Sequence, residues 1–180
     1  MAHFPIIEPE QAVDPKVQAV YNEIQTELGF GMVPNIFKSM GTNPDFLEHN
    51  WNQFRSTVLQ GHLPRTLKEM IGVVISQANN SAYAMQVHLH SLSAFGTSEA
   101  ILQALVANFE NCPLPEREKA IIRFGLQAAT QPLTLSQVDY QHLKDLGLDE
   151  SEIFEIIATA NLFTGVNQYT DAIALEIDTL

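Results

Sequence analysis

The sequence predicts an all-α protein, and three observations lead there. Apolar residues recur at steps of three and four, the breaks between periodic runs carry helix caps, and no stretch shows the alternation of a strand. The elements follow in order. Asp14 and Pro15 open a helix with the apolar stripe Val17, Val20, Tyr21, Ile24 and Leu28, and Gly29 can close it in the left-handed conformation. Gly29 to Asn35 is a turn-rich break. Asn43 and Pro44 start a helix that buries Leu47, Trp51, Phe54 and Val58 and ends near Gly61. Pro64 begins a third, presenting Leu67, Met70, Ile71, Val74 and Ala78 on one face and stopping around Asn79 and Asn80. A further helix runs from about Ser81 to Phe95, closed by Gly96. Later starts fall at Ser98, at Pro115, near Ser136 and at Asp149, where Glu152 completes an acidic capping box for a last helix reaching into the 170s.

Composition bounds what such a protein does. Its 180 residues suit one domain, 1–180, and 46% hydrophobic content supplies a core without disulfides or structural metal. A net charge of −12 repels phosphate backbones and anionic lipid headgroups, so neither nucleic acid nor a membrane surface is an expected partner. Charged residues make up only 17%, against roughly 25% in an average soluble domain, which points to surface covered by further copies. A homo-oligomer is expected: a dimer, trimer or hexamer. The single cysteine, Cys112, excludes an intrachain disulfide, a four-cysteine zinc site and a dithiol pair. The N-terminal residues lack an export signal, so the expected location is cytoplasmic. Residues 70–98 carry no Asp, Glu, Lys or Arg, but Gln77, Asn79, Asn80, Gln86, His88 and His90 make a membrane span too costly. This stretch is expected to be the buried middle of the fold.

Residues 63–99 laid over 114–150 give ten identities in 37 positions without a gap. Leu63-Pro64 meets Leu114-Pro115 at a helix start, Gly96 meets Gly147 at a helix stop, and Lys68 meets Lys119. A duplicated helical hairpin is the expectation, with shared composition and caps as the plainer account.

The charge-free middle holds one suggestive constellation: Glu69 on one helix, then Ser81, Ala84 and His88 on the next. Steps of three and four place Ser81, Ala84 and His88 along one stripe, which Glu69 would approach from the antiparallel neighbour.

On these residues the chain resembles the alkyl hydroperoxidase D (AhpD) and carboxymuconolactone decarboxylase superfamily, in particular its peroxidase-related branch. The resemblance spans nearly the whole chain, including Val33-Pro34-Asn35-Ile36-Phe37, the helix from Pro64 to Ala78, the Tyr83 and His88 region, Pro115 onward and Asn167 to Asp171. Redox-active members carry Glu, then Cys-x-x-Cys twelve residues later, then His four residues after the second Cys. Glu69 and His88 stand at matching places, with Asn80 and Tyr83 as suitable neighbours, but the cysteine positions hold Ser81 and Ala84. The resemblance implies an AhpD-like bundle and a hydroperoxide-reducing, peroxiredoxin-type activity, and the substitutions remove that activity. Peroxide reduction needs a thiolate that becomes a sulfenic acid and a second thiol that resolves it.

Two roles then stay open for Glu69, Ser81 and His88. One is a small-ligand-binding or scaffold homologue in which Glu69 and His88 satisfy each other inside the bundle, with Ala84, Tyr83 and Asn80 around them. The other is a cofactor-free proton-transfer lyase or isomerase, as the decarboxylase branch implies, with His88 as acid/base and Glu69 orienting it. Attack by Ser81 is disfavoured, because residues seven apart on a helix lie about 10 Å apart along its axis. No cofactor is expected. His88 and His90 point to different faces, and His3, His49, His62 and His142 form no ligand spacing, so no metal is expected either.

Overall fold

The structure is a computed structural model and describes residues 2–178. Among these residues there are nine α-helices and no strand, which agrees with the all-α expectation. Helix α1 is Pro15–Glu27, with the Asp14 carboxylate accepting from the Lys16 amide. A short α2, Asn35–Lys38, follows the predicted break. Helix α3, Pro44–Phe54, is capped by Asn43 and passes into a π-helical turn, Arg55–Leu59, so the single helix expected to reach Gly61 changes pitch after Phe54. Then come α4, Arg65–Ala78, α5, Ala82–Ala94, and α6, Glu99–Asn108. The remainder is α7, Glu116–Thr130, α8, Gln137–Asp145, and α9, Glu150–Ala172, whose start is the reciprocal Asp149 and Glu152 box. No helix of the described residues is long and apolar enough to cross a membrane.

Helix α4 is the hub. It packs against α5, α6, α7 and α9, and every residue from Leu67 to Ser76 is buried. The sequence suggested a single apolar face ending at Ala78, but Ala78 is exposed and the helix is enclosed on all sides above it. Two apolar clusters result. The larger joins α4 to α9, and the smaller joins α1 to α3 with the C-terminal tail and Tyr83 of α5.

A charge buried on this hub holds the preceding turn. Lys68 is 0% exposed; its ammonium donates to the carbonyls of Thr57 at 2.8 Å and Gln60 at 2.6 Å and pairs with Glu155 of α9. The other Glu155 oxygen accepts the amides of His62 and Leu63. Gly61 between them has φ +104°, and a Cβ there would collide with the Glu155 carboxylate, so glycine is required twice over. Lys119, 51 residues further on, likewise reaches back to the Glu110 carbonyl at 2.6 Å.

A buried ion pair broken on one side leaves a charge without compensation. Lys68→Met is therefore expected to lower the unfolding free energy by about 3–5 kcal/mol, whereas Arg117→Met, which removes a surface pair with Glu152, should cost less than about 1 kcal/mol. Urea unfolding of the two variants measures the contrast.

Candidate functional site

Glu69 sits on α4 with its carboxylate in the seam between the two clusters, 3% exposed. Three donors converge on it. The Arg65 Nε one turn earlier reaches Oε1 at 3.2 Å, the Ser91 hydroxyl of α5 reaches the same oxygen at 2.9 Å, and His88 Nδ1 lies 2.7 Å from Oε2. Burial pushes the carboxyl pKa up. The hydrogen bond and charge of His88, the charge of Arg65 and the Ser91 hydroxyl together outweigh that and hold it below the ordinary carboxylate range.

This arrangement fixes the histidine. A carboxylate can only accept, so the neutral His88 ring carries its proton on Nδ1 and leaves Nε2 with a lone pair. No described residue bonds Nε2. The ring meets Phe163 of α9 edge to face at 4.4 Å between centroids. It also lies directly on the α4 backbone at Gly72, where an added Cβ would come within 2.5–2.6 Å of three ring atoms. Glycine at that position is the seat on which the imidazole rests.

Both side chains line a cavity of about 50 Å³, enough for about three to five waters at roughly 10–15 Å³ each. Its floor includes Glu69, His88, Ser91 and Ala84. The roof is the segment after α1, through Phe30, Pro34, Ile36 and Phe37, while Phe54, Val87, Phe163 and Val166 close the sides. The roof is tied at both ends. Arg65 Nη1 donates to the Leu28 carbonyl at 2.8 Å, with its guanidinium over the Phe95 ring at 4.6 Å. At the far end Tyr83 donates its hydroxyl to Asp178 at 2.7 Å and accepts the Ile36 amide at 3.1 Å, while Asp178 also accepts the Asn35 amide. Burial, with the Asp178 charge, pushes the Tyr83 phenol far up, so it stays a neutral clamp.

The predicted site residues separate at this point. Glu69, His88, Ala84 and Tyr83 meet at the cavity, whereas Ser81 and Asn80 do not line it and border a different, shallow pocket with Gln77 and Met85. Ser81 is the N-cap of α5, with φ −85° and ψ 100°, and its hydroxyl donates to Asp171 of α9 at 2.9 Å. That bond, rather than one to His88, is what the extended cap conformation allows, so the hydroxyl is paired with Asp171 and not with the imidazole. Asn80 has φ +56° and ends α4, with the Ser81 amide bonded back to the Ser76 carbonyl. Cys112 is buried at 1% exposure beneath α6, its thiol pushed up by burial. It is an inert thiol by these criteria. Among the described residues no group of three His, Cys, Asp or Glu is placed to hold a metal. Sequence reasoning missed Arg65, Gly72, Ser91 and Phe163. Arg65 and Ser91 were within reach of it, four residues before Glu69 and three after His88.

Comparison with known proteins places the fold. Residues 44–109, from α3 through α6 and including Glu69 and His88, match the carboxymuconolactone decarboxylase family. The fold is similar to a peroxidase-related AhpD-core protein from Ralstonia eutropha JMP134, with TM-score 0.89 and 22% identity over 99% of this chain and 93% of the other. A peroxidase-related protein from Silicibacter sp. TM1040 gives TM-score 0.85 at 23% identity over 93% and 89%. The chain thus has the AhpD-like fold, and its stretch 44–109 matches the carboxymuconolactone decarboxylase family. A variant of the debrominase Bmp8 bound to 2,3,4-tribromopyrrole shares the AhpD-like fold as well, with TM-score 0.81 and 23% identity over 99% and 95%. No curated protein matches the sequence.

The buried carboxylate makes this site a contributor to acid stability. Because the Glu69 pKa is depressed in the folded protein, its contribution is complete above the unfolded value of about 4.3 and is lost as pH falls through the lower folded value. Unfolding free energies of wild type and Glu69→Gln, measured by urea titration across the acid range, should converge as pH falls. Parallel curves would mean that Glu69 is not held ionised.

Proposed function

We propose that the protein is a redox-inactive AhpD-like homologue that binds a small organic ligand at the Glu69 and His88 cavity, with His88 able to exchange a proton with what it binds. One observation carries this reading: His88 is locked through Nδ1 yet keeps Nε2 unbonded beside an enclosed cavity. A purely structural pair would have used both ring nitrogens or left no space beside them. A base with its other nitrogen held by a carboxylate is the arrangement general acid/base chemistry uses, and it needs no redox partner. The single ring held by the brominated-pyrrole complex of a protein with this fold is in keeping with a ligand of that size.

The loss of peroxidase activity follows from side-chain chemistry. Alanine occupies the position beside His88 that a thiol holds in redox-active relatives, and Ser81 cannot form a sulfenic acid. The same reading keeps the protein cytoplasmic and homo-oligomeric, with exposed apolar side chains such as Leu133, Val138 and Phe154 available for contacts between copies.

Hydroperoxide consumption with dithiol or lipoyl reductants tests the redox half. Wild type and Cys112→Ser are both expected at the buffer rate, and the double variant Ser81→Cys, Ala84→Cys above it. Turnover by the wild-type protein, whether or not it survives loss of Cys112, overturns the reading.

A further inference from the structure

We infer that the Glu69 and His88 cavity selects a single small planar ring bearing one weakly acidic N–H or O–H, and discriminates against rings that present only an acceptor. This rests on the ligand-binding reading above and adds the class of ligand. The argument starts from Glu69. Its two oxygens receive Arg65 Nε, Ser91 Oγ and His88 Nδ1, all of which must donate, because an ionised carboxylate has no proton to give. Whenever the imidazole is neutral it is thereby confined to one tautomer, and the atom left for a ligand, Nε2, is an acceptor. A carbonyl or ether oxygen placed there would set lone pair against lone pair. An N–H or O–H would complete the only unpaired polar group of the ring.

The rest of the cavity fixes the remainder of the description. Five aromatic side chains, Phe30, Phe37, Phe54, Tyr83 and Phe163, border it, and their faces and edges suit a flat ring more than a branched or extended chain. The volume of about 50 Å³ limits the ligand to about one ring. Charge excludes a permanent anion. With the ring neutral, Arg65 and Glu69 offset each other across 3.2 Å, so the pair leaves no net positive charge to offset a second carboxylate taken out of water. A weak acid meets all three conditions, because it enters neutral and shares its proton with Nε2.

Pyrrole and furan are probes of nearly equal size and opposite hydrogen-bonding character, one a donor and the other an acceptor. Titrations of each into 15N-labelled protein, followed at the amides of Ala84 and His88 at a pH where the ring 15N shifts of His88 report the neutral form, read the preference directly. Wild type is expected to bind pyrrole roughly 2- to 10-fold more tightly than furan, the value of one hydrogen bond. In Glu69→Gln the amide NH2 faces Nδ1 and moves the ring proton to Nε2, so the preference should vanish or reverse while the spectrum stays folded. If that variant does not fold, the wild-type pair decides alone. Equal binding of the two rings, or tighter furan, overturns the ligand class while leaving the pocket reading standing. Absence of shifts at those amides with either ring overturns the pocket reading itself.

Discussion

The carboxylate of Glu69, buried and ionised, is the constraint around which this molecule is arranged. An isolated carboxylate taken out of water would be protonated or would unfold its surroundings. Here it is kept by three donors brought from two helices, Arg65 on its own helix and Ser91 and His88 on α5. Each donor is thereby positioned in turn. The guanidinium reaches onward to the Leu28 carbonyl, which anchors the start of the cavity roof. The imidazole is pressed onto Gly72 and Phe163 with one nitrogen free. Remove the charge and the tautomer, the roof anchor and the α4–α5 contact all lose their common point.

The hub helix carries a second buried charge beside the first, and the two do separate work. Lys68 turns away from Glu69 to hold the turn at 60–63 and Glu155 of α9, so the scaffold is closed without drawing on the site's own partners. Tyr83, Asp178 and Asn35 then tie the tail, α5 and α2 together over the cavity. Ala84 lies within this frame, where the family pattern has a sulfur.

The helix starts were legible because their chemistry is local. Asp14 before Pro15, Asn43 before Pro44 and Asp149 three residues before Glu152 each cap a helix with their own side chains. The surroundings of α4 were less so: a periodic pattern tells which face is most apolar, and it does not count the neighbours that will cover the others. Glu69 and His88 were found because spacing and helix order brought them together. Ser81 was set on the same stripe by spacing alone, and its cap conformation turned the hydroxyl to Asp171, 90 residues away. Partners at that separation, like Asp178 for Tyr83, leave no local mark in a sequence. Arg65 and Ser91 had such a mark, one helical turn from residues already chosen.

Everything proposed for the cavity depends on which ring nitrogen of His88 bears the proton. Long-range 1H–15N correlation of the 15N-labelled protein reports it directly. The account predicts Nδ1 as a protonated, pyrrole-type nitrogen and Nε2 as an unprotonated, pyridine-type one in the neutral ring. A neutral His88 protonated on Nε2 would contradict it, since Glu69 could not then be the three-donor carboxylate on which the site is built.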